Sequence, residues 1–343
     1  MKITSQAPCR VDLAGGTLDI WPLYLFHDKG VTVNFAVNIF TSCTLRSRAD
    51  SKIIIRSRDL VREQVYESLD VLLAAKTHKL ALAAHILRFF RPEGGLEIET
   101  DSESPAGAGI SGSSAMIIAA TSALNEYCGT RYSIEKLREI SQNIEAQIIR
   151  VSTGCQDYYP AMYGGVNAIE LRVDGLVRKA IPVDHAELNS RFVLAYTGEP
   201  RNSGINNWEV TKAHIGGDKR VHRNFSTIAG IANGMRDALT RGDWTETGRL
   251  LREEWSNRKR NAPGITTPLI DRLITVSRRA GTQGAKVCGA GGGGCVLFLV
   301  EPGAGQRVAE AIIREGAQVL AAKVSPRGVR VRTEEPMARG AGR

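Results

Sequence analysis

No apolar run in the 343-residue chain reaches the length needed to cross a membrane as a helix. The first residues, Met1-Lys2-Ile3-Thr4-Ser5-Gln6, have neither the apolar core nor the cleavage site of a secretory signal, so a cytoplasmic location is expected. The six cysteines form no Cys-x-x-Cys pair, and the six scattered histidines show no zinc spacing. Reduced thiols are therefore expected, four of them (Cys9, Cys155, Cys288, Cys295) inside motif segments where a small side chain fits. Aromatic residues make up only 6% and do not interleave with basic ones. That argues against a stacking surface for nucleic acid, despite a formal net charge of +9. The only dense basic cluster is Arg258-Lys259-Arg260; elsewhere the basic residues are dispersed among acidic ones. A basic cleft for small anionic molecules explains the charge better.

What is present is the balance of a globular protein, 43% hydrophobic and 24% charged. The length suits two domains, divided near residue 190. Residues 1–60 are expected to be β-rich. Helices are expected at about 77–90, 113–127, 133–151, 243–260, 267–280 and 305–322. The segment 133–151 opens on the cap-like Ser133. Strands are expected at 95–100, 191–197, 285–288, 296–300 and 328–332, and the tail from Thr333 should fray. The final third reads as an α+β unit with antiparallel strands.

Three glycine-rich signatures punctuate this pattern. They are Ala7-Pro8-Cys9-Arg10-Val11-Asp12-Leu13-Ala14-Gly15-Gly16-Thr17-Leu18-Asp19, then Pro105-Ala106-Gly107-Ala108-Gly109-Ile110-Ser111-Gly112-Ser113-Ser114-Ala115, and Lys286-Val287-Cys288-Gly289-Ala290-Gly291-Gly292-Gly293-Gly294-Cys295. Such loops let backbone N–H groups approach an anion. The second also feeds a helix N-terminus, which offers unpaired donors and a positive dipole end to phosphate.

These motifs resemble those of the GHMP small-molecule kinases. The segment Gly154-Cys155-Gln156-Asp157-Tyr158-Tyr159-Pro160-Ala161-Met162-Tyr163-Gly164-Gly165-Val166-Asn167 is similar to the sugar 1-kinase branch, which includes heptose 7-phosphate kinases and the kinase part of fucokinase. Tyr196-Thr197-Gly198, with Arg201 and Ser203, is similar to the heptose kinase pattern. The resemblance implies an α+β, two-domain GHMP kinase fold. Its N-terminal domain (1–190) would be like ribosomal protein S5 domain 2. Its C-terminal domain (191–335) would be ferredoxin-like, with a frayed tail at 336–343. It further implies ATP as co-substrate, Mg²⁺, and a sugar or sugar phosphate as acceptor, in a monomer or homodimer with no nucleic-acid or membrane partner.

The implied roles map onto named residues. Pro105, Gly107, Ala108, Gly109, Ser111, Gly112, Ser113, Ser114 and Gly291 would bind ATP. Ser114 (or Ser113) and Glu145 would hold Mg²⁺, which favours a few protein oxygens plus phosphates and waters. Asp157 would position or deprotonate the acceptor hydroxyl, and Arg10 would keep it ionised and stabilise the transferring phosphoryl group. Asp19, Thr17, Gly16 and Tyr196 would contact the acceptor. Phosphoryl transfer needs this positioning and charge neutralisation more than covalent chemistry.

Each residue also has an ordinary explanation. Asp157 and Asp19 could cap turns, Glu145 could be a solvated helical glutamate, Arg10 could be a surface residue, and Ser113 and Ser114 could be helix caps. Asp12 is read as an alternating strand residue outside the site, and Lys286 as surface charge before the turn. The first motif lacks the Glu-His pair of galactokinase-like proteins, so galactose is disfavoured. Heptose 7-phosphate and a neutral deoxysugar such as L-fucose both stay open. A non-sugar alcohol kinase and a non-catalytic ligand sensor are the remaining alternatives. No residue in 40–80 can be assigned to an adenine pocket.

Overall fold

The computed structural model describes residues 1–200 and 203–334, with only the backbone of 203–207. Its first layer is an eight-stranded sheet. The founding strands are β1 (Lys2–Ala14) and β2 (Val31–Arg48), which pair antiparallel along nearly their whole length. Next come β3 (Ile53–Ser57), β4 (Arg62–Tyr66), β5 (Gly95–Ser102), β6 (Val166–Arg172) and β7 (Gly175–Ala180). β2 serves two neighbours on one edge: Val31–Phe35 pairs with β6, and Thr41–Arg48 with β5. Among the described strands, only β3 and β5 pair parallel.

The second sheet contains β8 (Phe192–Tyr196), β9 (Thr282–Val287), β10 (Cys295–Val300) and β11 (Gln318–Leu320). Its spatial order β11-β8-β10-β9 is all antiparallel. Taken in chain order, the strands lie 4-1-3-2, the ferredoxin-like arrangement. The last strand, β12 (Arg330–Glu334), leaves this unit and pairs with β1. Thr333 and Glu334, expected to fray, are therefore part of a strand, and 335–343 lies outside the described residues.

The helices follow apolar spacing and identifiable caps. They are α1 (Leu69–Ala74), α2 (Ala81–Phe90), α3 (Gly112–Tyr127), α4 (Ile134–Ile149), α5 (Tyr158–Tyr163) and α6 (His185–Ser190). The second unit adds α7 (Ser203–Ile215), α8 (Lys219–Thr240), α9 (Trp244–Arg258), α10 (Pro268–Ala280) and α11 (Gly305–Arg314). Ser133 caps α4 as its sequence suggests, its hydroxyl accepting from the Lys136 amide. The expected helix over 305–322 stops at Arg314, because Gly316 takes φ +94° and the chain turns into β11.

β1 records how the layers meet. Its first residues alternate between buried and half-buried, the period of a strand with one covered face. From Ala7 onward it is buried on both faces, with α3 packed against the strand pair and α8 and α9 also reaching it. β10 is buried throughout for a related reason. Val296, Phe298 and Val300 enter a core with Ile270, Leu273 and Ile312. The alternate residues Cys295, Leu297 and Leu299 join the core that holds Val33, Phe35 and Ile117. The two sheets therefore share apolar packing.

A buried charge cluster spans the same junction. Asp12, from β1, accepts a 2.5 Å hydrogen bond from the Lys286 ammonium of β9, and Arg258 of α9 lies 3.5 Å away. Asp12 and Lys286 are completely buried. Burial disfavours the Asp12 carboxylate, but Lys286, Arg258 and Arg10 outweigh it and hold its pKa below the ordinary value. Lys286 is thus an internal cation, not the surface charge expected from the sequence. Asp12→Asn should destabilise the protein by about 3–5 kcal/mol in urea unfolding, because two buried cations lose their counter-charge. Lys286→Met should cost less, since Arg258 still faces Asp12.

Candidate active site

A cleft of about 530 Å³ opens beside the first sheet, lined mainly by the first two glycine motifs. The second motif forms its floor. Gly107 and Gly109 have φ of +68° and +77°, and Ser111 is left-handed at +61°. The chain then enters α3 with no side-chain cap, and the first intrahelical acceptor bond reaches only the Ala115 amide. The amides of Gly112, Ser113 and Ser114 therefore lack intrahelical acceptors. This is the arrangement that binds phosphate at a helix start.

Two neighbours staple the loop. The Cys295 amide donates to the Ala108 carbonyl at 2.6 Å, and the Arg10 guanidinium donates to the Gly109 carbonyl at 2.9 Å. Gly294 makes the first contact possible. It has φ +80°, and a Cβ there would stand 2.7 Å from the Ala108 carbonyl. The third motif thus acts by holding the second. Gly289 and Ala290 line the cleft, whereas Gly291 does not and packs against Ile265 instead.

Arg10 is almost fully buried and donates from Nε (2.9 Å) and Nη2 (2.7 Å) to Asp157 Oδ1. Burial works against its charge, but Asp157 and Asp12 more than offset that and keep the guanidinium protonated. Asp157 stands before α5, without capping it, and opens onto the cleft. The turn-cap explanation therefore fails for Asp157, and the surface explanation fails for Arg10.

Glu145 is likewise no solvated glutamate. Its carboxyl accepts from Ser113 (2.6 Å), Ser114 (3.0 Å) and the Tyr158 hydroxyl (2.5 Å). Burial raises its pKa, opposed by the Ser113 and Tyr158 hydrogen bonds, while the Asp157 charge adds to the rise. The two serines do not cap α3; they point at this carboxyl beside the loop. The cluster offers hard oxygen donors, the chemistry Mg²⁺ takes, next to donors suited to its phosphate partners. Tyr158 is a member that sequence reasoning missed.

Asp19 also lines the cleft. Its Oδ2 accepts from the Gln156 amide at 2.8 Å, and a Cβ on Gly154 would sit 2.2 Å from the same oxygen. Gly154 is therefore a close-approach glycine. Burial raises the Asp19 pKa to about 6, with the Asp157 charge reinforcing it and the Gln156 hydrogen bond opposing it. Thr17 accepts from Arg258 Nη2 at 3.2 Å, and the same nitrogen donates to the Gly289 carbonyl at 2.6 Å. Gly16 does not line the cleft but packs on Arg258 and Asp12. Tyr196 also stands off the cleft, with its hydroxyl 3.4 Å from the Ala106 carbonyl. Arg201 lies outside the described residues, as does the Ser203 side chain.

Asp12 and Arg258, which the sequence reading left out of the site, line the cleft together. At the far end Ile55, Leu60, Leu80, Ala83, Ile86 and Met116 make an apolar recess beyond the phosphate loop. Its residues come from three segments with no common motif.

Comparison with known proteins follows from this geometry. The GHMP kinases N terminal domain matches residues 74–165, and the GHMP kinases C terminal domain matches 235–318. The chain is 27% identical to a D-glycero-alpha-D-manno-heptose 7-phosphate kinase of Campylobacter jejuni, over 96% of this chain and 98% of that one. It is also 27% identical to the L-fucokinase/L-fucose-1-P guanylyltransferase of Bacteroides fragilis, over 92% of this chain but only 36% of that longer protein. In structure it is similar to a D-glycero-D-manno-heptose 1-phosphate kinase from Bacteroides thetaiotaomicron, with TM-score 0.78, 25% identity and coverage of 97% and 100%. With its N- and C-terminal domains both matched and the two-sheet fold shared, the chain belongs to the GHMP kinases.

Proposed function

We propose that this GHMP kinase transfers the γ-phosphoryl group of ATP to the anomeric hydroxyl of a sugar, with a heptose 7-phosphate-like acceptor favoured. The observation that carries the reading is the Arg10–Asp157 pair, set between the phosphate loop and Asp19. The similarity to the heptose 7-phosphate kinase over nearly the full length of both chains supports the acceptor class. A free-sugar 1-kinase of the L-fucose type is the second reading. It draws on equal identity to the fucokinase.

In this scheme the apolar recess takes the adenine, and the amides of Gly112–Ser114 with the 105–111 loop cradle the phosphates. Ser113, Ser114 and Glu145 would hold Mg²⁺, which neutralises phosphate charge when bound. Asp157 accepts a hydrogen bond from the attacking hydroxyl and takes its proton as the oxygen–phosphorus bond forms. Arg10 fixes the Asp157 carboxylate and places positive charge beside the developing phosphoryl charge. Asp19 accepts hydrogen bonds from acceptor hydroxyls. Residues 1–190 would supply most of this machinery, and residues 191–335 would close over it through Arg258 and the 289–294 turn.

A panel of ATP with heptose 7-phosphate, L-fucose and other free sugars separates the two readings by kcat/KM. On the best acceptor, Asp157→Asn should lower kcat by about 10²–10⁴-fold, the usual worth of a positioned acid or base. ATP affinity should stay near wild type; retention of most of kcat would remove Asp157 from the chemistry.

The Asp19 titration gives a second test. Its raised pKa means the carboxylate is lost as pH falls through about 6. The acceptor KM should therefore climb below that pH while KM for ATP changes little. Asp19→Asn should raise the acceptor KM and flatten this dependence. For stability the sign is opposite: Asp19 contributes most below its unfolded pKa, and that contribution is lost as pH rises through about 6. An Asp19→Asn variant more stable than wild type at pH 8, but not at pH 4, would show it in thermal unfolding.

A further inference from the structure

Three of the histidines that looked scattered in sequence meet at one place outside the cleft. His27 follows the short helical turn Leu23–Phe26, His214 lies near the end of α7, and His222 is in the first turns of α8. One ring nitrogen from each lies within 4.8 Å of the others. His27 Nε2 and His214 Nε2 face each other at 2.7 Å, and the His214 and His222 rings stack with centroids 3.9 Å apart. His27 is largely buried and His214 is only 1% exposed.

The outer hydrogen bonds orient the rings. His222 Nε2 is 2.9 Å from the His214 carbonyl, which can only accept. The proton is therefore on Nε2, and Nδ1 of His222 carries the lone pair. His27 Nδ1 meets the Ser226 hydroxyl at 3.1 Å, leaving Nε2 turned inward. A ring nitrogen tied to a carbonyl or hydroxyl, with the other aimed at a common centre, is the pattern of metal-bound histidine. His214 Nδ1 is buried with no hydrogen-bond partner, so this ring is incompletely satisfied by protein alone.

We propose that His27, His214 and His222 form a binding site for one Zn²⁺-class transition-metal ion, separate from the Mg²⁺ position of the kinase cleft. Three neutral imidazoles suit zinc, which would complete a tetrahedral set with water. The fit requires a small opening. Two nitrogens ligating one ion at 2.0–2.1 Å stand about 3.3 Å apart in a tetrahedral set, against the 2.7 Å seen. For the His27–His214 pair the opening needed is well under 1 Å, while His222, whose ring nitrogen lies within 4.8 Å of both, must close toward the same spacing. His27 comes eight residues after Asp19, so the ion would tie the acceptor-side segment to the α7–α8 turn.

Untagged full-length protein, stripped with a chelator and then given Zn²⁺, should retain one ion per chain after gel filtration. Co²⁺ in its place should show the visible absorption of a tetrahedral site. Zn²⁺ should raise Tm, since it binds the folded form. His222→Gln should abolish that rise, the Co²⁺ spectrum and stoichiometric retention. Ser226→Ala, which touches the site only through His27, should weaken Zn²⁺ affinity by about 10–100-fold and keep the chelator-treated Tm of wild type. No stoichiometric Zn²⁺ on the wild type, or unchanged binding in both variants, overturns the assignment.

Discussion

One completely buried carboxylate, Asp12, sets the relation of the two sheets. It sits on β1, yet its partners Lys286 and Arg258 come from β9 and α9. Each cation would be costly to bury alone, and each is held by the same acid. Glu254, also buried, adds a second acid near Lys286 and Arg258, with its pKa pushed up by burial to about 7. The cluster therefore joins two buried basic side chains to one acid held below its ordinary pKa and a second pushed above it.

That constraint reaches the cleft through strand geometry. Arg10 and Asp12 are two residues apart on β1, so their side chains share a face. Fixing Asp12 to the second unit fixes the same stretch of β1 that directs Arg10 at Asp157 and at the Gly109 carbonyl. Arg258 carries the connection onward to Thr17 and Gly289. The phosphate loop receives a separate tie through Cys295, at the end of the glycine turn. Motifs far apart in sequence thus act as one piece because each bonds to the same few β1 and loop atoms.

Local chemistry was legible in sequence where one segment carries the whole signal. The second glycine motif could be read because positive-φ residues lead straight into a helix, and Ser133 because capping is a property of four adjacent residues. Arg10, Asp157 and Glu145 were found by motif resemblance, and the structure brings them into one cleft. Asp12 and Lys286 were misread because an alternating strand residue and a lysine before a turn look the same whether they face water or each other. Arg258 was hidden in a basic cluster, although its neighbours Lys259 and Arg260 are exposed while it is buried. The histidine triad had no local spacing at all, since its members come from three segments. Sequence also gave no hint that β10 feeds two cores, because a strand buried on both faces looks like any short apolar run.

The two acids of the cleft are unequal for a reason that bears on acceptor choice. Arg10 bonds Asp157 through two nitrogens, whereas Asp19 is met by backbone amides and feels the charge of Asp157. Asp157 is thus the acid with a fixed counter-charge, suited to meeting a proton at the reacting hydroxyl. Asp19 is the acid whose charge must be satisfied by what binds, and neutral hydroxyl donors do that without adding a second anion. A phosphate carried by the acceptor would be repelled by Asp19 and Asp157 alike. On the proposed reading, a phosphate on the acceptor would therefore be placed away from both acids.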